Sequence, residues 1–397
     1  MHVGERIAGY RKRRGLSQDA LAGLAGRSRS WLSQVERGMR GVDRLSTLSA
    51  LAQALHVDVG ELIAGDWRLA SNGAPQVRAL DAIRTQLAGY HHLIGQPDSP
   101  WPLPQLRNAA VQVNQAYQAA RYADAAAMLP GVLSAADGYI GFVGRNDREV
   151  HLARCSVYSV CAKLLTKVGE PKLAWIAADR ATHAALSAGS PTGRGMAAVQ
   201  VAGAMLADDR GGDAERVAIG VAEQLMPNTA AEAPEVVSIA GALWLLGAVI
   251  AGRDGDRRTA EQRLGHADEL AQLLARDANH GWTAFGRTNV LIHRASVGAE
   301  LGDAGSVLEL ASQIDVDDMP EGLNSRRARL HLDLAWAQTQ AKRDLEAVLH
   351  LQQAERIAPE VLRFDSVARE LLRELLKRAR RPMPALTALA KRSGVLA

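Results

Sequence analysis

Residues 17 to 38 of this 397-residue chain place hydrogen-bonding side chains at spacings suited to reading nucleic-acid bases. Two short helices joined by a tight turn are predicted here. In the second helix, Leu32 and Val35 lie three residues apart and therefore share the buried face. On the opposite face, Arg29 can bind guanine and Gln34 can bind adenine, each through two hydrogen bonds. The pattern indicates a helix-turn-helix that binds DNA.

The first of these helices is predicted to begin after Ser17, whose hydroxyl can cap it. Leu21, Ala22 and Leu24 are expected to form its apolar face. Gly26 follows and lets the chain reverse sharply, because glycine adopts left-handed backbone angles without steric cost.

Residues 4 to 66 resemble the five-helix domain of the phage-repressor-like Xre/Cro/CI family. The resemblance implies a structural ion pair between Arg11 and Glu36. Trp31 stands where a small or polar residue is expected, and we expect it to pack on the domain surface. The segments that carry the resemblance are Arg6 to Gln18, the run Ser-Trp-Leu-Ser-Gln-Val-Glu-Arg-Gly that ends at Gly38, Leu45 to Leu55, and Asp58 to Ile63.

The resemblance also implies which side chains touch DNA. The glutamine that opens the second helix contacts a phosphate, and the residues that open the third helix read bases, here Ser28, Arg29, Ser30 and Gln34. The whole set expected on DNA is Gln18, Arg27, Ser28, Arg29, Ser30, Ser33, Gln34, Arg37, Arg40 and Arg44.

The charge distribution favours this interpretation over an ordinary helix pair with solubilising arginines. Residues 1 to 70 contain eleven Arg plus Lys and seven Asp plus Glu, and the whole chain has a net charge of +4. All of the net positive charge therefore belongs to the predicted DNA-binding domain. Such a local excess suits the neutralisation of phosphates.

Length and composition predict an all-α protein with at least two domains, since one core rarely supports 397 residues. Aromatic residues make up only 4%, and alanine is abundant. We expect a helix-turn-helix domain at 1–66, a linker at 67–76, a right-handed tetratricopeptide-like solenoid at 77–381 and a C-terminal tail at 382–397.

The sequence favours neither an enzyme nor a membrane protein. It contains no glycine-rich phosphate loop, His-Glu-x-x-His or Gly-x-Ser-x-Gly motif, so no catalytic site, cofactor or metal is expected. The longest apolar stretch, Ile239 to Gly252, is too short to span a bilayer, which predicts a cytoplasmic protein. Cys155 and Cys161 are expected to be buried thiols.

A repeated pattern of long helix, turn and alanine-rich helix predicts the solenoid. Its turns recur every 41 to 47 residues. The earliest copy, at residues 113 to 126, looks most like a tetratricopeptide repeat. Such an array has a concave groove suited to a peptide. The predicted turns are Gly169-Glu170, Gly212-Asp213, Gly255-Asp256, Gly302-Asp303 and, in degenerate form, Arg343-Asp344.

Polar and aromatic residues recur at steps of three and four on helices predicted at 282–301 and 323–341, and near residue 154. They suit either a ligand or a solvated convex face. Asn289 is the strongest candidate, because its amide can bond both groups of a peptide backbone. The expected ligand-binding residues are Arg154, Tyr158, Trp282, Phe285, Asn289, His293, Arg326, Arg329, Asp333 and Trp336.

The order of the two domains resembles bacterial peptide-pheromone sensors of the RRNPP group. That resemblance implies a homodimer on a double-stranded DNA operator, switched by a peptide in the repeats. A partner protein, such as an antitoxin-like component or an anti-regulator, and a small-molecule effector remain alternatives. An apolar stripe from Val361 to Leu376 on one last long helix could cap the solenoid or pair two subunits.

Overall fold

The computed structural model describes residues 3–14, 16–37, 42, 45–55, 57, 62, 75–89, 101–140, 147–226, 233–379 and 381–396. The chain separates into two compact units, Met1–Val77 and Arg78–Ala397. All regular elements among the described residues are helices, which confirms the all-α prediction.

The N-terminal unit contains four described helices: α1 (Val3–Arg13), α2 (Gln18–Leu24), α3 (Arg29–Glu36) and α4 (Leu45–Leu55). Their shared core includes Leu21, Leu32 and Val35. Gly26 has a φ of +63°, as the tight turn requires. The fifth predicted helix, 58 to 63, lies outside the described residues except for the buried Leu62.

The prediction for Leu24 is wrong. Its side chain is 63% exposed, whereas Leu21 and Ala22 are buried. Leu24 is the last residue of α2, and it lies three residues from Leu21 and only two from Ala22. It therefore projects away from the face that Ala22 shares with the core.

Sixteen described helices form the second unit: α5 (Pro75–Ala88), which begins just before it, α6 (Leu103–Gln118), α7 (Tyr122–Asp137), α8 (Arg148–Lys167), α9 (Pro171–Ser187), α10 (Pro191–Ala207), α11 (Gly211–Leu225), α12 (Pro234–Arg253), α13 (Arg257–Gln272), α14 (Arg287–Glu300), α15 (Ala304–Ala311), α16 (Asn324–Gln340), α17 (Asp344–Ile357), α18 (Val361–Phe364), α19 (Ser366–Arg378) and α20 (Pro384–Arg392).

Helices α6 to α17 form six hairpins, and each hairpin turn contains one residue with positive φ. Glycine occupies this position in only three of the six turns. In each turn, the next backbone N–H bonds the carbonyl five residues earlier, as in a Schellman helix end. The positive-φ residues are Ala120, Gly169, Asp209, Gly255, Gly302 and Lys342.

The turn predicted at Gly212-Asp213 is misplaced by about three residues. The chain reverses at Asp209, and α11 already begins at Gly211. Asp209 adopts the left-handed conformation that aspartate tolerates better than most residues. The glycine pair was therefore a misleading signal, because these glycines lie in the first turn of the helix.

The hairpins stack as an all-α solenoid. The first helix of each hairpin contacts the first helix of the next, from α6 through α8, α10, α12 and α14 to α16. Small residues allow this close approach. At Gly241 on α12, any side chain would overlap the ring of Phe285, which is fully buried.

The two ends of the array also meet, because α6 contacts α16. Gln118 and Asn279 exchange side-chain hydrogen bonds of 2.9 and 2.7 Å. Asn324 donates a longer bond of 3.5 Å to the carbonyl of Ala119. The first and last hairpins are therefore in contact, which the sequence analysis did not predict.

The C-terminal helices cover the last hairpin. The single long helix predicted from Val361 is in fact two helices, because Asp365 interrupts it and caps α19 by accepting from two backbone N–H groups. Leu371 and Leu372 are buried, and α19 contacts α16 and α20. The apolar stripe thus caps the solenoid, and the segment expected to be a tail contains α20.

Helix α12 is long and apolar enough to cross a membrane by composition, but 78% of its apolar window is buried inside the unit. Cys155 and Cys161 are buried and free, as expected. Burial raises the pKa of Cys155 to about 11. Both observations are consistent with a core built from closely packed helices.

Candidate functional site

Helix α3 is held by its ends and by one apolar face. Ser28 caps it by accepting a hydrogen bond from the backbone N–H of Trp31. Leu32 and Val35 are buried, whereas Arg29 and Ser30 are exposed. The predicted reading face is therefore presented outwards on a fixed helix.

A buried ion pair ties α3 to α1, as predicted. The Arg11 guanidinium donates to both Glu36 carboxylate oxygens, at 2.6 and 2.9 Å. Gln18 at the start of α2 donates to the same carboxylate at 2.8 Å. Burial would raise the pKa of Glu36, but the bonds from Arg11 and Gln18 lower it. These contacts fix three helices to one another.

The other predicted DNA-contacting residues differ in how many contacts their side chains make within the domain. Arg27 donates to the hydroxyl of Thr47 at 2.7 Å and lies over the ring of Trp31. Trp31 packs against the core, as expected. Arg29 lies 3.6 Å from the equally exposed Asp19, a surface pair that restrains it little.

The remaining members of the set border this face. Arg37 is exposed and donates to the backbone carbonyl of Ser33. Ser33 and Gln34 are half-buried. Arg40 and Arg44 lie outside the described residues. The contribution of each side chain to DNA binding stays a prediction.

A second group of charged side chains lies where the first and last hairpins of the solenoid meet. Lys163 donates to the carbonyl of Trp282 at 3.2 Å and lies 5.6 Å from the Tyr117 ring centre. Burial lowers the pKa of His293, and the nearby charges of Arg326 and Arg329 lower it further. We call Lys163, Arg326 and Arg329 the basic cluster.

The basic cluster has more cations than carboxylates. Asp333 accepts two bonds from Arg329 at 2.9 and 3.1 Å. Nearby, Lys167 pairs with Asp365 at 3.2 Å. Neither Lys163 nor Arg326 has a carboxylate partner among the described residues. Burial lowers the pKa of Arg326, with Arg329 adding to this effect.

Lys163 should leave a measurable signature in the pH dependence of stability. Burial first, and the charge of Arg326 second, lower its pKa from 10.5 to about 8. Between pH 8 and 10, the unfolded chain therefore binds a proton that the folded chain lacks, so Lys163 makes stability rise with pH. Relative to Lys163→Met, the free energy of unfolding should rise by up to about 1.4 kcal/mol per pH unit.

Urea unfolding at several pH values measures this difference directly. Tyrosines and cysteines that titrate in the same range are common to wild type and variant, so they cancel. Lys391→Met, at an exposed lysine, is the matched control and should parallel the wild type. Parallel curves for Lys163→Met and wild type would contradict the lowered pKa.

Of the predicted ligand-binding residues, Arg326 and Arg329 belong to the basic cluster, and Trp282 and His293 border it. Asp333 lies beside them as the partner of Arg329. The helix predicted from Trp282 begins only at Arg287. Trp282 itself lies on a short turn, and its backbone carbonyl accepts the hydrogen bond from Lys163. The sequence analysis missed Lys163 and Tyr117, because their partners lie far along the chain: the carbonyl of Trp282 for Lys163 and the charge of Arg326 for Tyr117.

Asn289 is 1% exposed, and its side-chain oxygen has no hydrogen-bond partner among the described residues. It lies one helical turn before His293, whose ring contacts the Asn289 backbone carbonyl at 2.9 Å. An unpaired buried acceptor carries a desolvation penalty. A ligand donor that bonds the Asn289 side-chain oxygen would remove this penalty.

The other predicted ligand residues have structural surroundings. Tyr158 is fully buried and donates to Asp137, and Arg154 lies over its ring. Phe285 is part of the core beneath Gly241. Trp336 packs against the apolar core of α14 to α16. These side chains therefore contribute to packing within the repeat unit.

A separate cavity of about 400 Å³ lies among α9, α10 and α11. Its walls are mainly apolar and include Val201, Val217 and the partly exposed Trp175 and Leu186. The sequence analysis did not predict it, because its lining comes from three helices with ordinary core residues. Its size suits a small apolar molecule.

Comparison with known proteins bears on the N-terminal unit. Residues 2–64 match the family model described as a helix-turn-helix domain. The chain is also similar to an immunity repressor protein of Bacillus phage phi105, with 46% identity over 63 residues. This is 16% of the chain and 43% of that protein, so the chain spans less than half the length of this curated relative. No solved structure is significantly similar. Residues 2–64 therefore form a domain of the helix-turn-helix family.

Proposed function

We propose that this chain is a sequence-specific DNA-binding transcription regulator of the Xre/CI type, switched by a ligand held in its helical-repeat unit. The observation that carries the proposal is the outward polar face of α3. This face is held in place by the core residues Leu32 and Val35 and by the Arg11–Glu36 pair. The similarity of this region to a phage repressor supports the same function.

A homodimer would explain how such a domain gains specificity. Two copies of α3 would read half-sites one helical turn apart on a palindromic operator. The apolar stripe once considered for dimerisation is used within the chain, so another surface of the second unit would pair the subunits. Such a regulator works in the cytoplasm.

A short peptide is the proposed ligand. The unpaired side-chain oxygen of Asn289 would accept a peptide N–H, and the basic cluster would attract acidic groups. We infer that the contact between α6 and α16 changes when the ligand binds, because the basic cluster lies beside it. This gives the repeat unit two states that a ligand could bias.

The DNA-binding proposal is tested by selecting genomic fragments with the full chain and with an Arg29→Ala, Gln34→Ala double variant at equal salt. The wild type should select a palindromic site. Each substitution should cost about 1 to 3 kcal/mol of specific binding. Sequence-blind binding should persist in the variant, because it depends on phosphate contacts.

A matched control removes the same residue types from exposed positions in the second unit, Arg373→Ala with Gln313→Ala. This control should select the same site as the wild type. If the α3 double variant also selects that site unchanged, α3 is not the reading helix.

A small-molecule effector is the second candidate, favoured by the apolar cavity among α9, α10 and α11. Its ligand would be apolar, in contrast to the ligand of the basic cluster. A regulator controlled by a partner protein, such as an antitoxin-like component or an anti-regulator, would instead need a broad apolar surface.

A further inference from the structure

We propose that the basic cluster binds the anionic end of the regulatory ligand, a carboxylate or a phosphate, between Lys163 and Arg326. This inference deepens the proposed function and rests on it for the ligand being regulatory. It assigns a chemical class to the ligand. It also assigns a role to two cations that have no carboxylate partner among the described residues.

The first argument is the charge balance. Buried cations in proteins are normally paired, because desolvation strongly disfavours an isolated charge. Here Asp333 forms an ion pair with Arg329, and Asp365 forms one with Lys167. His293 contributes no positive charge at neutral pH, since burial lowers its pKa to about 3. Two positive charges therefore remain for an anion.

The second argument is access. Burial lowers the pKa of both Lys163 and Arg326. Yet each keeps part of its surface accessible, and 30% of the Arg329 side chain is accessible as well. The accessible surface of these side chains leaves the cations open to approach by a ligand group.

The third argument is the backbone that faces Lys163. Trp282 and Ala284 both have positive φ, at 58° and 55°, a strained conformation for residues with a side chain. This loop presents the Trp282 carbonyl to Lys163 and to Gln118. Strain of this kind is concentrated at binding sites. One carbonyl satisfies one of the three ammonium N–H groups, which leaves donors for a ligand.

The position of the cluster gives binding a structural consequence. Tyr117 and Lys163 come from α6 and α8 at one end of the array, whereas Arg326 comes from α16 at the other. Lys163 and Arg326 carry like charges across this contact, and the charge of Arg326 lowers the pKa of Lys163. An anion between them would replace repulsion with attraction and so stabilise the closed form.

The test begins with inorganic phosphate as the probe and the melting temperature of the full chain as the readout. Phosphate should raise the melting temperature above that in chloride at equal ionic strength, because a ligand stabilises the state that it binds. Lys163→Met and Arg326→Met should abolish this extra rise. Lys391→Met should keep it.

The same variants separate binding from stability. Each methionine removes an unpaired buried charge while keeping the side-chain volume, so the phosphate-free melting temperature should stay equal or rise. A functional cation is expected to behave in this way, because sites are often retained at a cost in stability. A lower melting temperature for both variants without phosphate would assign the lysine and arginine to structure and overturn the proposal.

A second arm identifies the source of the anion and uses calorimetry. N-acetylated tetrapeptide pools with a free C-terminal carboxylate are compared with the same pools as C-terminal amides. A peptide ligand predicts binding of the acids that is at least about tenfold tighter than that of the amides, and that is lost in Lys163→Met. A phosphate response without peptide binding leaves the cluster as an anion site and removes the peptide from the proposed function.

Unchanged phosphate binding in both methionine variants overturns the anion site, and equal binding of acids and amides overturns the peptide carboxylate as its ligand. Neither result depends on DNA. The operator selection with α3 variants therefore still decides the DNA-binding function on its own.

Discussion

Replacing Phe285 with alanine should destabilise the repeat unit by about 3 to 5 kcal/mol, the usual cost of removing a buried aromatic side chain. Phe285 is fully buried and packs on Gly241 of α12, at the only kind of residue that leaves room for its ring. It fixes the loop before α14 to the middle of the array. The loss is measured by urea unfolding of the second unit within the full chain.

The contact between Phe285 and Gly241 provides an internal check. Gly241→Ala alone should also destabilise, by about 1 to 3 kcal/mol, because its methyl group would overlap the ring. In the double variant, the methyl group partly fills the space that the ring leaves. The double variant should therefore lose less stability than the sum of the losses in the two single variants. Leu349→Ala, at a side chain that is 60% exposed, is the control and should change stability little. Strict additivity would contradict the contact.

Asp333→Asn should cost about 3 to 5 kcal/mol, the range for breaking a buried ion pair from one side. Asp333 accepts from Arg329 and, at 2.5 Å, from the Ser296 hydroxyl. Its charge raises the pKa of Arg329. Without it, Arg329 becomes a third unpaired cation beside Lys163 and Arg326. Denaturant unfolding measures the loss.

The control is Asp81→Asn in an exposed pair with Arg84, where both side chains keep about half their surface accessible. That change should cost less than about 1 kcal/mol. Asp333→Leu combined with Arg329→Met should recover part of the loss, because it removes both charges together. If Asp333→Asn lowers the free energy of unfolding no more than Asp81→Asn does, the prediction is contradicted. The Asp333–Arg329 pair would then be hydrated like a surface pair.

Local signals explain why the N-terminal unit could be predicted in detail. Gly26, Leu32 and Val35 determine the turn and the buried face through interactions within a few residues. The Arg11–Glu36 pair came from family resemblance, since nothing local links positions 25 residues apart. Leu24 was misassigned because a short helix end offers too little periodicity to separate a core position from an exposed one.

The helical hairpins were visible in the sequence, but their contacts across the array were not. Gly169, Gly255 and Gly302 marked their turns correctly, whereas Asp209 and Lys342 adopt the same left-handed backbone without a glycine. The basic cluster combines residues from distant hairpins, so only part of it followed from periodicity. Lys163 was missed, because no local pattern links it to Arg326 on a distant hairpin.

The meeting of α6 with α16 changes how the repeat unit should unfold. In an open helical array, each hairpin depends only on its neighbours, and the ends fray first. Here α6 of the first hairpin contacts α16 of the last, and Asn324 donates to the carbonyl of Ala119, so the terminal hairpins support each other. Forming such a distant contact is slow, because a long loop must close before the contact stabilises it. Loss of the first hairpin would therefore weaken the last one, and the hairpins would melt together as one cooperative body.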